Sequence, residues 1–266
     1  MSNKAPHTID HIQEMKRRGE KIAMLTCYDA VFTRTMDEAG VDIILVGDSL
    51  GMVVQGKNST VAVSVDDIAY HTRCVARGVE RAFLLADMPF GSYHNESTAM
   101  NNAVQLLSAG SAMVKLEGAG PMIAIVEYLV SRGVPVCGHL GLTPQSVHQL
   151  GGFKVQAREA EAANRLMEDA LALQTAGAQL MVLECVPAAL GREVSAQLEI
   201  PLIGIGAGAD CDGQVLVMHD MLGLGSRVPR FVADFMQGSQ SIGAAFERYV
   251  SDVRSGRFPA KEHEYA

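Results

Sequence analysis

A chain of 266 residues with 48% hydrophobic side chains has ample material for one large core, and α/β barrels of about 250 residues fold as single domains. A formal net charge of -8 with no long run of either sign excludes nucleic acid and anionic membrane as working partners, so any anionic ligand must meet locally placed cations. The five cysteines form no CxxC pair, the start has no apolar leader and no apolar run reaches about 18 residues, so reduced thiols, a cytoplasmic location and no membrane partner are expected.

Residues 8–19 read as an amphipathic helix started by Thr8 or Asp10, with Ile9, Ile12 and Met15 on one face and Gly19 at its end. A strand over 21–27 precedes a helix over 29–39 that Gly40 stops. Ile43 to Val46 is a fully apolar run, a strand buried on both faces, and it releases Asp48 and Ser49 where the chain must leave the sheet. Residues 51–64 hold two small β-like runs around Gly56-Lys57-Asn58 and are expected to form a flap over the mouth. A helix from 65 to 77 carries Asp66 and Asp67 in its first turn.

The pattern then repeats. Strand three ends at Asp87, a helix covers 95–110, strand four carries Lys115 and Glu117, and a helix runs from Pro121 to about 132. Strand five ends at His139, and 141–158 forms a second long connection read as a lid. A helix over 160–176 leads to strand six, which ends at Glu184, then a helix to 197 and strand seven over 200–205. Strand eight is expected within 215–222, followed by a helix over 232–254 and a polar tail. Eight βα units without a composition break predict one closed (β/α)8 barrel over 1–266, with an N-terminal helix and a C-terminal helical extension. An open doubly wound sheet is the alternative, but no GxGxxG follows strand one.

Five strands thus deliver polar groups at one end, where parallel α/β proteins build their sites. Lys115 and Glu117 are two apart and point to the same side, either as a mutual ion pair or as a substrate clamp and a cation ligand. Asp48, Asp87 and Glu117 lie on neighbouring strands with no His or Cys in zinc-like spacing, and clustered hard oxygens favour Mg²⁺. Asp48 taken alone reads more readily as a helix N-cap than as a ligand, and it is the three carboxylates in register that favour the cation. Glu184, with apolar residues 180–183 behind it, is a general-base candidate through desolvation, or a cap for the next helix. His139 is a substrate contact or a core histidine. Gly204-Ile205-Gly206-Ala207-Gly208 follows strand seven and reads as a phosphate cradle, as a place where a flat ligand approaches the backbone, with Gly206 and Gly208 the candidate cofactor contacts, or as a plain turn.

These segments resemble the ketopantoate hydroxymethyltransferase family over nearly the whole chain. The resemblance is carried by Thr26-Cys27-Tyr28-Asp29, Leu45-Val46-Gly47-Asp48-Ser49-Leu50-Gly51, Asp87-Met88-Pro89-Phe90, Val114-Lys115-Leu116-Glu117-Gly118, Gly138-His139-Leu140-Gly141-Leu142-Thr143-Pro144-Gln145-Ser146, Leu183-Glu184-Cys185-Val186-Pro187 and the glycine loop. It implies a (β/α)8 TIM barrel of the phosphoenolpyruvate mutase type, Mg²⁺, 5,10-methylenetetrahydrofolate as co-substrate, a cytoplasmic homodecamer, and a step of pantothenate and coenzyme A synthesis. By position it makes Asp48, Asp87 and Glu117 the metal site, Asp48, Ser49, Asp87 and Lys115 the oxoacid contacts, and Glu184 the proton acceptor. Three rivals remain: a Mg²⁺-dependent oxoacid carbon–carbon lyase, a Schiff-base aldolase using Lys115, and a non-catalytic anion-binding barrel.

Overall fold

Seven largely apolar runs and the segment Gly213–Leu216 become eight parallel strands, each hydrogen-bonded to the next and the last to the first. The computed structural model describes residues 6–225 and 228–266. The strands are β1 (Ile22–Thr26), β2 (Ile43–Val46), β3 (Phe83–Asp87), β4 (Met113–Glu117), β5 (Val136–Gly141), β6 (Leu180–Glu184), β7 (Leu202–Ile205) and β8 (Gly213–Leu216). Closure removes the sheet edges and excludes the open doubly wound sheet.

Side-chain alternation splits the core in two. Ile22 and Met24, Ile43 and Leu45, Phe83 and Leu85, Met113, Cys137, Leu180 and Val182, and Ile203 and Ile205 pack together inside the barrel. Their neighbours, among them Leu25, Ile44, Leu84, Val114, Met181 and Leu183, pack against the surrounding helices. Each such fully buried aliphatic side chain contributes roughly 1.5–3 kcal/mol. The N-terminal helix, Ile9–Arg17, adds Ile12 and Met15 to the interior set. Its Lys16 donates to Ser195 O and Ile200 O and pairs with Asp212 at 2.8 Å, which ties the helix across the end where β7 and β8 begin. The same alternation continued two residues further puts Asp87, Lys115, Glu117, His139 and Glu184 on the inner side at the opposite end.

Several expectations need correction. Residues 51–64 contain no strand: Leu50–Val53 is a helical turn, and Gly51 packs so tightly on Val63 that a Cβ there would lie 2.6 Å from its side chain. Local helical hydrogen bonds from Gly51 and Met52 back to Asp48 and Ser49 outweigh the β-branched composition. The connection after β5 is not wholly a lid, because Thr143 and Gln145 are buried in the wall of the site. β8 begins at Gly213, earlier than expected, and Met218–Met221 is a helical turn. The last long helix is Ile242–Arg254 only; Gly238, at φ +83, and the Ser241 cap set its start. The polar tail is packed, with Phe258 at 5% exposure.

All five cysteines are free, and Cys27, Cys137, Cys185 and Cys211 are buried. Among the described residues no helix is long and apolar enough to cross a membrane.

Candidate active site

Asp87 and Lys115 are paired across β3 and β4, and the Lys115 ammonium sits 2.8 Å from Asp87 Oδ1. The other oxygen of Asp87 accepts the backbone N–H of Asp48 at 2.9 Å, which fixes the turn after β2. Gly47 makes room for this approach: a Cβ there would lie 3.0 Å from Ser49 Oγ and 3.5 Å from Asp87 Oδ2. Ser49 is hydrogen-bonded to the Tyr28 hydroxyl at 2.8 Å, and Tyr28 donates to Thr26 Oγ1.

Gln145 closes the cluster from the β5 side. Its amide nitrogen donates to Asp48 Oδ2 at 2.8 Å and to Met88 O at 3.0 Å, its oxygen accepts from the Tyr93 hydroxyl, and its backbone N–H donates to Glu117 Oε2 at 3.0 Å. Every donor and acceptor of this buried amide is used, which fixes which way it points.

His139 joins the cluster to Glu184. Its Nδ1 lies 3.2 Å from Lys115 Nζ, which has only hydrogens to give, so Nδ1 accepts and the ring proton falls on Nε2. That Nε2 faces Glu184 Oε2 at 3.3 Å, a polar approach without the alignment of a full hydrogen bond. Burial and the Lys115 charge both hold His139 below its ordinary pKa, in keeping with a neutral ring. Glu184 is 14% exposed at its side chain and so keeps an open flank.

Three structural readings raised by the sequence do not hold. The following helix, Ala188–Gln197, is capped by no side chain, so Glu184 is not an N-cap. Asp48 receives an amide from Gln145 and caps no helix either. Lys115 pairs with Asp87 and not with Glu117.

The electrostatics are those of an anionic site short of positive charge. Burial first, then the charges of Asp87 and Glu117, push Asp48 well above the usual carboxylate range. Burial raises Glu117 to about 7, with Asp87 adding to the shift and Lys115 opposing it. Burial works against the charge of Lys115, but Asp87, Glu117 and Asp48 together hold it well above the ordinary lysine value. Burial also lifts Glu184, and the His139 ring draws it partly back.

Among the described residues no group of three or more His, Cys, Asp or Glu side chains is placed to hold a metal ion by itself. Mg²⁺ does not need one, since it takes one or two carboxylates and fills its octahedron with water and substrate oxygens. Asp87 Oδ1 is buried without an aligned hydrogen bond, and three carboxylates face one ammonium. The residues therefore fit a hard divalent cation at Asp48 and Asp87. Glu117 adds a third carboxylate beside them, with Gln145 N–H on one of its oxygens and the other 3.3 Å from His139.

A family model described as ketopantoate hydroxymethyltransferase matches residues 6–261. The chain belongs to this family. A relative from Burkholderia multivorans, named 3-methyl-2-oxobutanoate hydroxymethyltransferase, is 56% identical and covers 99% of this chain and 98% of its own. A relative of the same name from Aromatoleum aromaticum is 58% identical over 98% of this chain and 97% of its own. Among solved structures, a phosphoenolpyruvate phosphomutase from Streptomyces platensis subsp. rosaceus aligns with a TM-score of 0.62 at 13% identity, covering 82% of this chain and 83% of that one. A 2,3-dimethylmalate lyase of the PEP mutase/isocitrate lyase superfamily aligns at 0.55 with 15% identity, over 78% and 80%. The fold is thus a closed (β/α)8 barrel like those of these structures.

Asp48, Ser49, Asp87, Lys115, Glu117, His139 and Glu184 are brought to one mouth. Gly206 and Gly208 lie after β7 beside it, and packing accounts for both: a Cβ at 206 would lie 2.9 Å from Phe231, and one at 208 would lie 2.7 Å from Ala188. Gln145, Tyr93 and Tyr28 were not singled out from the sequence, although Gln145 and Tyr28 stand in family-like segments. An unpaired glutamine in a loop carries no periodic signal.

Proposed function

We propose that this chain transfers a hydroxymethyl unit from 5,10-methylenetetrahydrofolate to 3-methyl-2-oxobutanoate, giving 2-dehydropantoate, the ketopantoate of pantothenate synthesis. The full-length identity to relatives of that name supports the reaction. The observation that carries the site assignment is the unbroken run of polar contacts from Asp48 through Asp87, Lys115 and His139 to Glu184.

Asp48 and Asp87, with Glu117 close by, would hold a Mg²⁺, which when bound would supply the charge that polarises the substrate's keto group. Lys115 and Ser49 bind and orient the oxoacid carboxylate. Glu184, ionised and desolvated, takes the proton from the tertiary carbon next to the ketone, and the electron pair moves onto the keto oxygen. The resulting carbon nucleophile attacks the methylene carbon of the folate. Both carbon–nitrogen bonds of that carbon break, one replaced by the new carbon–carbon bond and one by the oxygen of water. The two nitrogens leave protonated, one with the proton taken from the substrate and one with a proton of the water, as tetrahydrofolate. His139 turns Nε2 toward Glu184 and contacts the oxoacid or the new hydroxymethyl group. The folate enters at the mouth beside Gly206 and Gly208. The 141–158 connection and the turn after Ser49 exclude water from the nucleophile.

Lys115 is held charged by Asp87, and a Schiff-base aldolase needs a neutral amine, so the metal-assisted reading is favoured over that rival. We take the chain to work as one barrel domain over 1–266, on small molecules alone, with neither nucleic acid nor membrane, as a cytoplasmic homodecamer; exposed Val31, Tyr70 and Val104 on the outer helices support self-assembly.

The test is hydrogen–deuterium exchange at the tertiary carbon of 3-methyl-2-oxobutanoate without folate, followed by NMR. Wild type exchanges in the presence of Mg²⁺, and Glu184→Gln slows exchange by about 10²–10⁴-fold. Normal exchange in the variant removes Glu184 as the base.

A further inference from the structure

The residues after the last long helix carry more anchoring than a solvated tail needs. Phe258 packs against Phe235 and Tyr249, with ring centroids 5.3 and 5.9 Å away. From there the chain runs to the site mouth. Glu262 O accepts from Arg230 Nε at 2.9 Å, Glu264 Oε1 accepts the N–H of Ala209 at 3.1 Å, and Tyr265 O accepts the N–H of Ala188 at 2.9 Å. These bonds lay residues 262–265 over the turn after β7 and the start of the helix after β6. The Tyr265 ring lies on Gly206, where a Cβ would be 3.1 Å from ring carbon Cε2. Its hydroxyl lies against the Cys185 thiol.

Cys185 directly follows the proposed base, and its backbone is in the left-handed region at φ +49. A non-glycine residue there is strained and persists only where its surroundings fix it. The surroundings do so: its N–H donates to Ile205 O and its C=O accepts from Gln156 N, both at 2.8 Å. Burial drives the thiol far above its ordinary pKa, so it is no nucleophile. What the left-handed turn does is redirect the chain at the end of β6, immediately after Glu184.

We infer that Tyr265 is a positioning residue for Glu184, which seats on Gly206 and against Cys185, holds the left-handed turn, and limits the access of water to the base. The inference rests on Glu184 being the proton acceptor. Without the phenol, Cys185 can relax toward an ordinary conformation, Glu184 shifts with it, and water reaches its carboxylate.

The full-length variants Tyr265→Ala, Tyr265→Phe and Glu184→Gln test this by exchange at the substrate's tertiary carbon, measured from pH 5 to 9 with Mg²⁺ present. Tyr265→Ala should slow exchange about tenfold or more, as small misplacements of a catalytic group do. Its acid limb should move to lower pH as the base becomes hydrated, and Tyr265→Phe, which keeps the ring on Gly206, should recover most of the rate. Adding Cys185→Gly to Tyr265→Ala should restore part of the lost rate, because glycine accepts φ +49 without strain. A wild-type rate and limb in Tyr265→Ala overturns the inference, and so does a slow variant whose limb has not moved and which Cys185→Gly fails to rescue. Tyr265→Leu carries the same comparisons if Tyr265→Ala does not fold. Normal exchange in Glu184→Gln instead defeats the base assignment itself, whatever the Tyr265 variants do.

Discussion

Lys115 Nζ and Asp87 Oδ1 meet at 2.8 Å across paired strands, and neither side chain is more than 4% exposed. Breaking a buried pair by removing one partner leaves an uncompensated charge, at a cost of about 3–5 kcal/mol. Lys115→Met should therefore lower the unfolding free energy by several kcal/mol, on the order of this figure, and abolish turnover near neutral pH. Urea unfolding of the metal-free protein checks the first effect. A variant as stable as wild type shows that Asp87 has another partner.

Gln145 binds three segments through one residue: Asp48 after β2, Met88 after β3 and Glu117 on β4. Gln145→Ala removes the amide that orients Asp48 but leaves every proposed ligand in place. Loss of such an outer contact typically weakens metal affinity or activity about 10–100-fold. The Mg²⁺ concentration for half-maximal exchange should rise in that range. An unchanged Mg²⁺ requirement separates Gln145 from the cation site.

Glu117 links the site to stability. Its folded-state pKa of about 7 lies above the ordinary 4.5, so its contribution is full below about pH 4.5 and is lost as pH rises through 7. The span corresponds to on the order of 3 kcal/mol. Urea midpoints of metal-free wild type should therefore fall relative to those of Glu117→Gln between pH 4.5 and 7.5. Saturating Mg²⁺ should remove the difference by favouring the ionised carboxylate. Parallel profiles for the two proteins would contradict the assignment.

Gly141 has φ +86, and a Cβ on it would lie 2.1 Å from Glu184 O. Gly141→Ala forces β5 and β6 apart beside the base, and left-handed strain adds about 1–3 kcal/mol. The thermal midpoint should fall by several degrees, with proton exchange falling more steeply than substrate affinity. Equal losses in both would place the effect on the fold alone.

The barrel is legible where burial is complete and abrupt. Ile43–Val46, Phe83–Asp87 and Leu180–Glu184 are apolar runs that end in or beside an acid, and their observed bounds follow that pattern. Alternation then brings Lys115 and Glu117 to the same inner face. β8 is obscured because Gly213 and Gln214 carry no apolar signal; Gly213 is there because a Cβ would lie 2.4 Å from Ile22 O. The helical turn after Ser49 is hidden by its valines, and the packed 258–266 segment by its polar composition. Gln145, Tyr93 and Tyr265 act through contacts between connections, where no sequence period applies.

The central claim is that Asp48 and Asp87 hold a divalent cation on which oxoacid binding depends. Calorimetric titration of 3-methyl-2-oxobutanoate with and without Mg²⁺, on wild type and Asp48→Asn, measures this directly. Binding to wild type should weaken at least about tenfold without Mg²⁺, and the variant should show little Mg²⁺ response. Equal affinity for the oxoacid with and without the ion in wild type would contradict it.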